Sequence, residues 1–233
     1  MVIDTVVKVG GSLLRLGRAP LARLLAHLAD VARMVPVLVV PGGAVFDDAV
    51  REATHQHRIG DDAAHWMAIL AMDAYGWLLA DLAPACVPLH NLAQARRAAR
   101  SGRLPVLLPF ALMRARDELP HTWAVTSDSI AVWVAGMVGA RRVILLKDVA
   151  GIYTTAPGHC PSPALLAQVD ADTAAASGAV DPYLPQALAR FFPLGECWVT
   201  GGTQPSAVVA LVLTGTPEGT RVVQGSQQRP ASV

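Results

Sequence analysis

Short apolar, largely β-branched runs recur along the chain at 5–9, 35–40, 85–88, 104–108, 142–146, 196–200 and 220–223, and each reads as a strand. Segments of helical period lie between them. Leu21, Leu24, Leu25, Leu28 and Ala32 fall at i, i+3, i+4 and i+7, the spacing of one helix face. A longer helix is predicted from Asp61 or Asp62 as its cap, with Trp66, Leu70, Ala74 and Trp77 along one side and both tryptophans in the core. Residues 44–53 read as helix, and Thr126 or Ser127 can cap a further one through Gly136. Strands such as Val-Leu-Val-Val at 37–40 are apolar throughout, as burial on both faces requires. The alternation predicts an α/β protein, a three-layer αβα sandwich with a central, mainly parallel sheet. Gly and Pro mark loops at 156–163 and 226–230, and the last eight residues read as a frayed tail. A division into lobes, 1–115 and 116–233 of one domain, is expected near 110–125, where Pro109, Pro120 and polar residues gather.

Composition narrows the function. With 53% hydrophobic and 16% charged residues, the 233-residue chain can bury a sizeable core, which argues against disorder. A net charge of +1 and the lack of any Lys/Arg run point away from nucleic acid and from anionic membranes. Any anion site must therefore be local. Cys86, Cys160 and Cys197 are far apart and form no CxxC, so they read as free thiols in a reducing compartment. The N-terminal stretch, broken by Asp4 and Lys8, does not read as a signal peptide. The longest strongly apolar stretch, 130–140, is well short of the about 20 residues that span a bilayer. A cytoplasmic protein with no membrane partner is expected.

The chemistry concentrates at strand ends. At 6–12 a buried strand carries Lys8 and ends in Gly10, Gly11 and Ser12. Glycines let backbone N–H groups approach an anion, and a lysine supplies a point charge for phosphate. The same segment also reads as an ordinary strand-to-helix turn, and it is neither a Walker loop nor a dinucleotide fingerprint. Pro41-Gly42-Gly43 repeats the arrangement after the second strand. In an open α/β sheet the carboxyl ends of neighbouring strands face one crevice, so the two corners can aim amides and helix starts at one place. Thr126, Ser127 and Asp128 open a predicted helix. Lys147 leaves an apolar strand at its carboxyl end, and Asp148 to Gly151 read as a tight turn before Tyr153.

These segments in this order resemble the amino-acid kinase superfamily, which includes acetylglutamate, aspartate, uridylate and isopentenyl phosphate kinases. The resemblance covers nearly the whole chain. It rests on Lys-Val-Gly-Gly-Ser at 8–12, Pro-Gly-Gly at 41–43, Thr-Ser-Asp-Ser-Ile-Ala at 126–131, Leu-Leu-Lys-Asp-Val-Ala-Gly-Ile-Tyr at 145–153 and Gly-Thr-Arg-Val-Val at 219–223. The stretch from His121 to Ala131 is most similar to the small kinases of methanofuran-type cofactor biosynthesis, which convert an aminomethyl-furanyl-methyl phosphate to its diphosphate. The resemblance implies a carbamate kinase-like fold, ATP as donor, Mg²⁺ held mainly by phosphate oxygens rather than by side chains, and a small-molecule phosphate acceptor. It implies contact of Lys8 with the transferring phosphoryl group, and amides of Gly10 and Gly11, beside Ser12, on the nucleotide phosphates. Gly42 and Gly43 would cradle the acceptor, with Thr126 and Ser127 nearby. Asp128 would position the lysines, Lys147 would neutralise donor charge, and Asp148, Gly151 and Tyr153 would border the nucleotide.

Relatives carry a glycine-rich, lysine-bearing motif before the last strands, and here 177–185 holds no lysine. A second cation must come from Lys147, from Arg190, or not at all. His121 and Trp123 precede the 126–129 segment, where a ring could stack on a furan or a base and His121 could meet an acceptor phosphate; a loop anchored by a buried Trp is the alternative. Asp61, Asp62 and His65 read as a cap with a local ion pair rather than a ligand set. A nucleoside monophosphate kinase of the uridylate type and a non-catalytic nucleotide- or oxyanion-binding storage protein remain rival functions. A homodimer or higher homo-oligomer is expected, paired through the helix at 59–82.

Overall fold

The structure, a computed structural model, describes residues 3–155, 163–215 and 219–225. Strand β1 (Thr5–Val9) leads through a 3₁₀ turn (Gly11–Leu16) into α1 (Arg18–Ala32) and then β2 (Val37–Pro41). Helices α2 (Ala44–His57) and α3 (Asp61–Leu82) precede β3 (Cys86–Leu89), α4 (Leu92–Arg100) and β4 (Leu104–Leu107). Next come α5 (Pro109–Arg116), α6 (Ser127–Val138) and β5 (Arg142–Lys147). The chain closes with β6 (Gln168–Asp170), α7 (Ala171–Ala176), α8 (Leu184–Phe191), β7 (Glu196–Gly201), α9 (Pro205–Thr214) and β8 (Thr220–Val223).

The strands form one sheet in the order β3-β4-β2-β1-β5-β7-β8-β6. All pairings are parallel except β7 with β8. Each predicted strand is present with its ends moved by at most two residues. Strand β6 was not foreseen, because its three residues bury only Val169 and show no readable alternation. One face of the sheet packs against α1, the second half of α3 and α9, through residues such as Leu24, Leu28, Tyr75, Leu79 and Leu211. The other face packs against α4, α6, α7 and α8, with Trp133, Ala135, Leu184 and Leu188 at its heart. This is the three-layer αβα sandwich expected from the pattern.

Two helix expectations need correction. Helix α3 starts after Gly60, which takes the capping position assigned to Asp61 or Asp62. Its inward side is Ile69, Met72, Tyr75 and Leu79, whereas Leu70 and Trp77 on the chosen side are 48% and 55% exposed. Trp66 is half-buried, edge-on to Phe110 and beneath the Arg114 guanidinium. Helix α6 does begin at Ser127 but runs on to Val138, where Gly139 in the left-handed region ends it.

Cys86 and Cys197 are buried free thiols, and burial raises the pKa of Cys86 to about 11. Cys160, most of the 156–163 loop and the C-terminal eight residues lie outside the described residues. Among the described residues no helix is long and apolar enough to cross a membrane.

Candidate active site

Strand alternation explains how the charged side chains meet. Side chains two apart on a strand share a face, so Lys8 lies on the same side of the sheet as Val6. On β5, Lys147 shares a face with Val143 and Leu145, which pair in register with Val6 and Lys8. Val6, Val143 and Leu145 all join the core beneath α6. Both lysines therefore rise toward the same helix, near its N-terminus.

There they meet Asp128. Lys8 Nζ lies 2.8 Å from Asp128 Oδ1, and Lys147 Nζ donates to Oδ2 at 2.6 Å. The chain has only two lysines, Lys8 and Lys147, and both end on this carboxylate. Lys8 and Asp128 are 5% and 3% exposed, so water screens their pairing little. Burial alone would raise the Asp128 pKa, but Lys147 and then Lys8 overcome it and hold the carboxyl well below the usual range. At Lys8 burial wins instead and lowers the pKa, since this ammonium faces one carboxylate and also the Lys147 charge. Arg190, the other candidate cation, reaches the Glu118 carbonyl and lies over Phe191 instead.

The two glycine corners are in backbone contact. A Cβ on Gly11 would sit 2.6 Å from both Cα and N of Ala44, and one on Gly42 would sit 2.9 Å from the Gly11 nitrogen. Only glycine permits such an approach, so the corners after β1 and β2 form one surface. Tyr75, buried on α3, donates a 3.4 Å hydrogen bond to the Gly10 carbonyl from beneath. Ser12, Gly43, Thr126 and Ser127 line a polar cleft above these corners, with Arg15, Asp47 and Arg51 at its edge.

Two further hollows adjoin the elements that carry the lysines, although Lys8, Asp128 and Lys147 line neither. One, about 510 Å³ with its open mouth included, lies between α2, α3 and the start of α6, with Ile69, Met72, Val125 and Ile130 as apolar wall. Its polar groups include Asp47, Arg51, Asp61, His65 and Thr126. Arg51 pairs with Asp47 at 3.0 Å and lays its guanidinium 4.1 Å from the Trp123 ring centre. Trp123 thus lines this hollow. His121 does not: its ring nitrogens are bound to Asp62 at 2.7 Å and Asp117 at 2.8 Å, and it stacks on His65. The bond to Asp62, ahead of that to Asp117, raises its pKa, while burial and the neighbouring His121 lower that of His65 to about 4. Asp62 therefore pairs with His121 rather than with His65.

The second hollow, about 850 Å³ and open to solvent, is bounded by Ala150, Leu165, Ala167, Gly201, Gln204, Ala207 and Gly219 among others. Gly201 is the register partner of Lys147. Asp148 is exposed beside Lys147, while Gly151 and Tyr153 are set back from this lining. Gly151 packs so tightly that a Cβ would lie 2.8 Å from Thr220 Oγ1, and Tyr153 bridges to Leu165. Sequence reasoning missed Asp181, Tyr75, Asp47 and Arg51. Arg51 stands one helical turn after Asp47 and carried a local signal, whereas Asp181 carried none. Among the described residues no group of three or more His, Cys, Asp or Glu side chains is placed to hold a metal.

The fold that carries this site is a known one. The uridylate kinase of Archaeoglobus fulgidus matches it with a TM-score of 0.72 at 17% identity, over 94% of this chain and 100% of that one. The isopentenyl phosphate kinase of T. acidophilum gives a TM-score of 0.62 at 16% identity, over 94% and 99%. At such identities the likeness is one of fold. The model of the amino acid kinase family matches residues 5–211, and the chain belongs to that family. It is 28% identical over 207 residues to the (5-(aminomethyl)furan-3-yl)methyl phosphate kinase of Methanocaldococcus jannaschii, covering 89% of this chain and 92% of that protein. Family membership supports a phosphotransferase.

Proposed function

We propose that the protein transfers the terminal phosphoryl group of ATP to the phosphate of a small monoester, an aminomethyl-furanyl-methyl phosphate, yielding its diphosphate. The observation that carries this reading is the Lys8–Asp128–Lys147 bridge between the two hollows. Thr126 and Ser127, just before Asp128, line the first, and the partner of Lys147 lines the second. We assign the acceptor to the first hollow, largely within 1–115 but completed by 122–130, and the nucleotide to the second, within 116–233.

Phosphoryl transfer passes through a loose transition state, so positioning and cationic stabilisation supply most of the catalysis. A phosphate acceptor is already ionised at neutral pH, and no general base is required. Lys8 contacts the moving phosphoryl group, Lys147 the donor phosphates, and Asp128 holds both. Amides of Gly10, Gly11, Gly42 and Gly43, with Ser12, Thr126 and Ser127, receive the oxygens. Mg²⁺ carried on the nucleotide would neutralise further charge; Asp128, with both oxygens given to lysines, is not free to ligate it. The acceptor hollow suits a flat ring against Trp123 and an ammonium beside Asp61.

A panel of acceptors with ATP and Mg²⁺, read as ADP formed, tests the reading. The aminated furan phosphate should turn over fastest. Asp61→Asn should raise its KM about tenfold and leave that of the analogue lacking the amine unchanged. Preference for uridine monophosphate would make the protein a uridylate-type kinase. ATP binding with no ADP from any acceptor would make it a storage protein.

A further inference from the structure

Asp181 lies between α7 and α8, in the stretch where the lysine of relatives is missing, and is 6% exposed. Its side chain reaches the first turn of α6. Oδ2 accepts from the Thr126 amide at 3.0 Å, the Thr126 hydroxyl at 3.0 Å and the Ser129 amide at 2.9 Å. Oδ1 accepts from the Ser129 hydroxyl. Thr126 stands at the N-cap but makes no capping bond with its own side chain. A distant acid therefore supplies the cap that Thr126 could make locally. Asp128 sits between the two residues it grips.

The arrangement is electrostatically expensive. Burial, and then the charge of Asp128, raise the pKa of Asp181. A threonine cap would satisfy the Ser129 amide with no second buried charge but could not reach the amide of Thr126 itself, so Asp181 does more than a local cap could, at the cost of a second buried acid. Its charge does have an effect elsewhere: together with Asp128 it favours the ammonium form of Lys8, against burial and the Lys147 charge. Two buried acids then face two lysines.

We infer that Asp181 is a positioning residue for phosphoryl transfer: its four hydrogen bonds fix the start of α6 and hence Asp128, and its carboxylate adds a second acid to the charge balance of the lysine pair. This rests on the assignment of Lys8, Asp128 and Lys147 as the transfer site. Groups of about this kind must be held within roughly 0.5 Å of working geometry.

Because the chain has only two lysines, ¹³C-labelling of lysine side chains gives two signals whose titration NMR can follow, and Lys147→Arg assigns them. In Asp181→Asn the carboxamide oxygen can keep both amides, and the Ser129 hydroxyl can turn to accept, so shape is preserved and charge lost. The expected result is a folded protein whose Lys8 signal titrates at lower pH than in the wild type, with kcat down about tenfold and KM values within about twofold. Ser129→Ala, which keeps the charge but removes one bond, should lower kcat while leaving the Lys8 titration in place. An unchanged Lys8 titration in Asp181→Asn, or wild-type kcat in both variants, would overturn the inference and leave Asp181 a helix cap. The titration does not depend on turnover, so an inactive wild-type protein would end the kinase reading and the transfer role of Asp181 with it, whereas an unchanged titration in an active protein would overturn this inference alone.

Discussion

At Asp128 one carboxylate meets two ammonium groups, and the three charges respond to pH in different senses. The depressed pKa of Asp128 adds stability that is present above the unfolded value of 3.8 and is lost as pH falls toward the folded one. Lys8 behaves oppositely. Burial lowers its pKa, so its charge costs stability at neutral pH, and that cost is relieved as pH rises through the lowered value toward 10.5. On the proposed function, a lysine kept at such a cost is kept for what it does to a phosphate. Lys8→Met should therefore reduce kcat by about a hundredfold or more while moving the melting temperature only slightly. Asp128→Asn should lose activity and about 3 kcal/mol of stability as well, because it strands buried cations. Melting curves between about pH 1.5 and pH 6 check this: the acid-side decline of the wild type should flatten in Asp128→Asn. A decline equally steep in both would show that Asp128 is not the group responsible.

At the scale of elements, the site depends on three strand ends and one helix start arriving together. Gly11 is where the two corners touch, since backbone atoms of Ala44 bar any Cβ and neither chain segment has a flexible tip to give way. Gly11→Ala should cost about 2 kcal/mol, or about 6 °C in melting temperature for a chain of this size, and should raise the KM for both substrates; unchanged stability would mean the corners separate easily. The corners themselves were legible in the sequence as Gly-Gly after an apolar strand. Their contact was not, because it follows from β1 lying beside β2 and from the register Val9 to Pro41. Lys147 could be singled out because a cation ending an apolar strand is locally anomalous. Asp181 could not, since an acid after Gly-Ala-Val reads as a surface turn until α6 is brought to it.

For the molecule as a whole, α3 shows both what periodicity gives and where it fails. The helix was legible, but it is apolar on two sides, so the 3.6-residue period cannot say which side faces the sheet. The structure turns Ile69, Met72, Tyr75 and Leu79 inward and leaves Leu70 and Trp77, two turns apart, outward. A helix apolar all round is normally covered all round. A second copy of the chain, presenting the same stripe across a two-fold axis, is the covering we propose. Light scattering should then give twice the chain mass and a melting temperature that falls on dilution, and Trp77→Lys should give the single-chain mass with that dependence on dilution abolished. The hollow we assign to the acceptor opens along the same helix at Asp61, Ala64, His65 and Ala68, so pairing would also brace its wall. The Trp77→Lys monomer should accordingly bind acceptor more weakly while ATP affinity holds. A wild-type protein that runs as one chain at micromolar concentration would dismiss the pairing and leave the outer stripe of α3 uncovered.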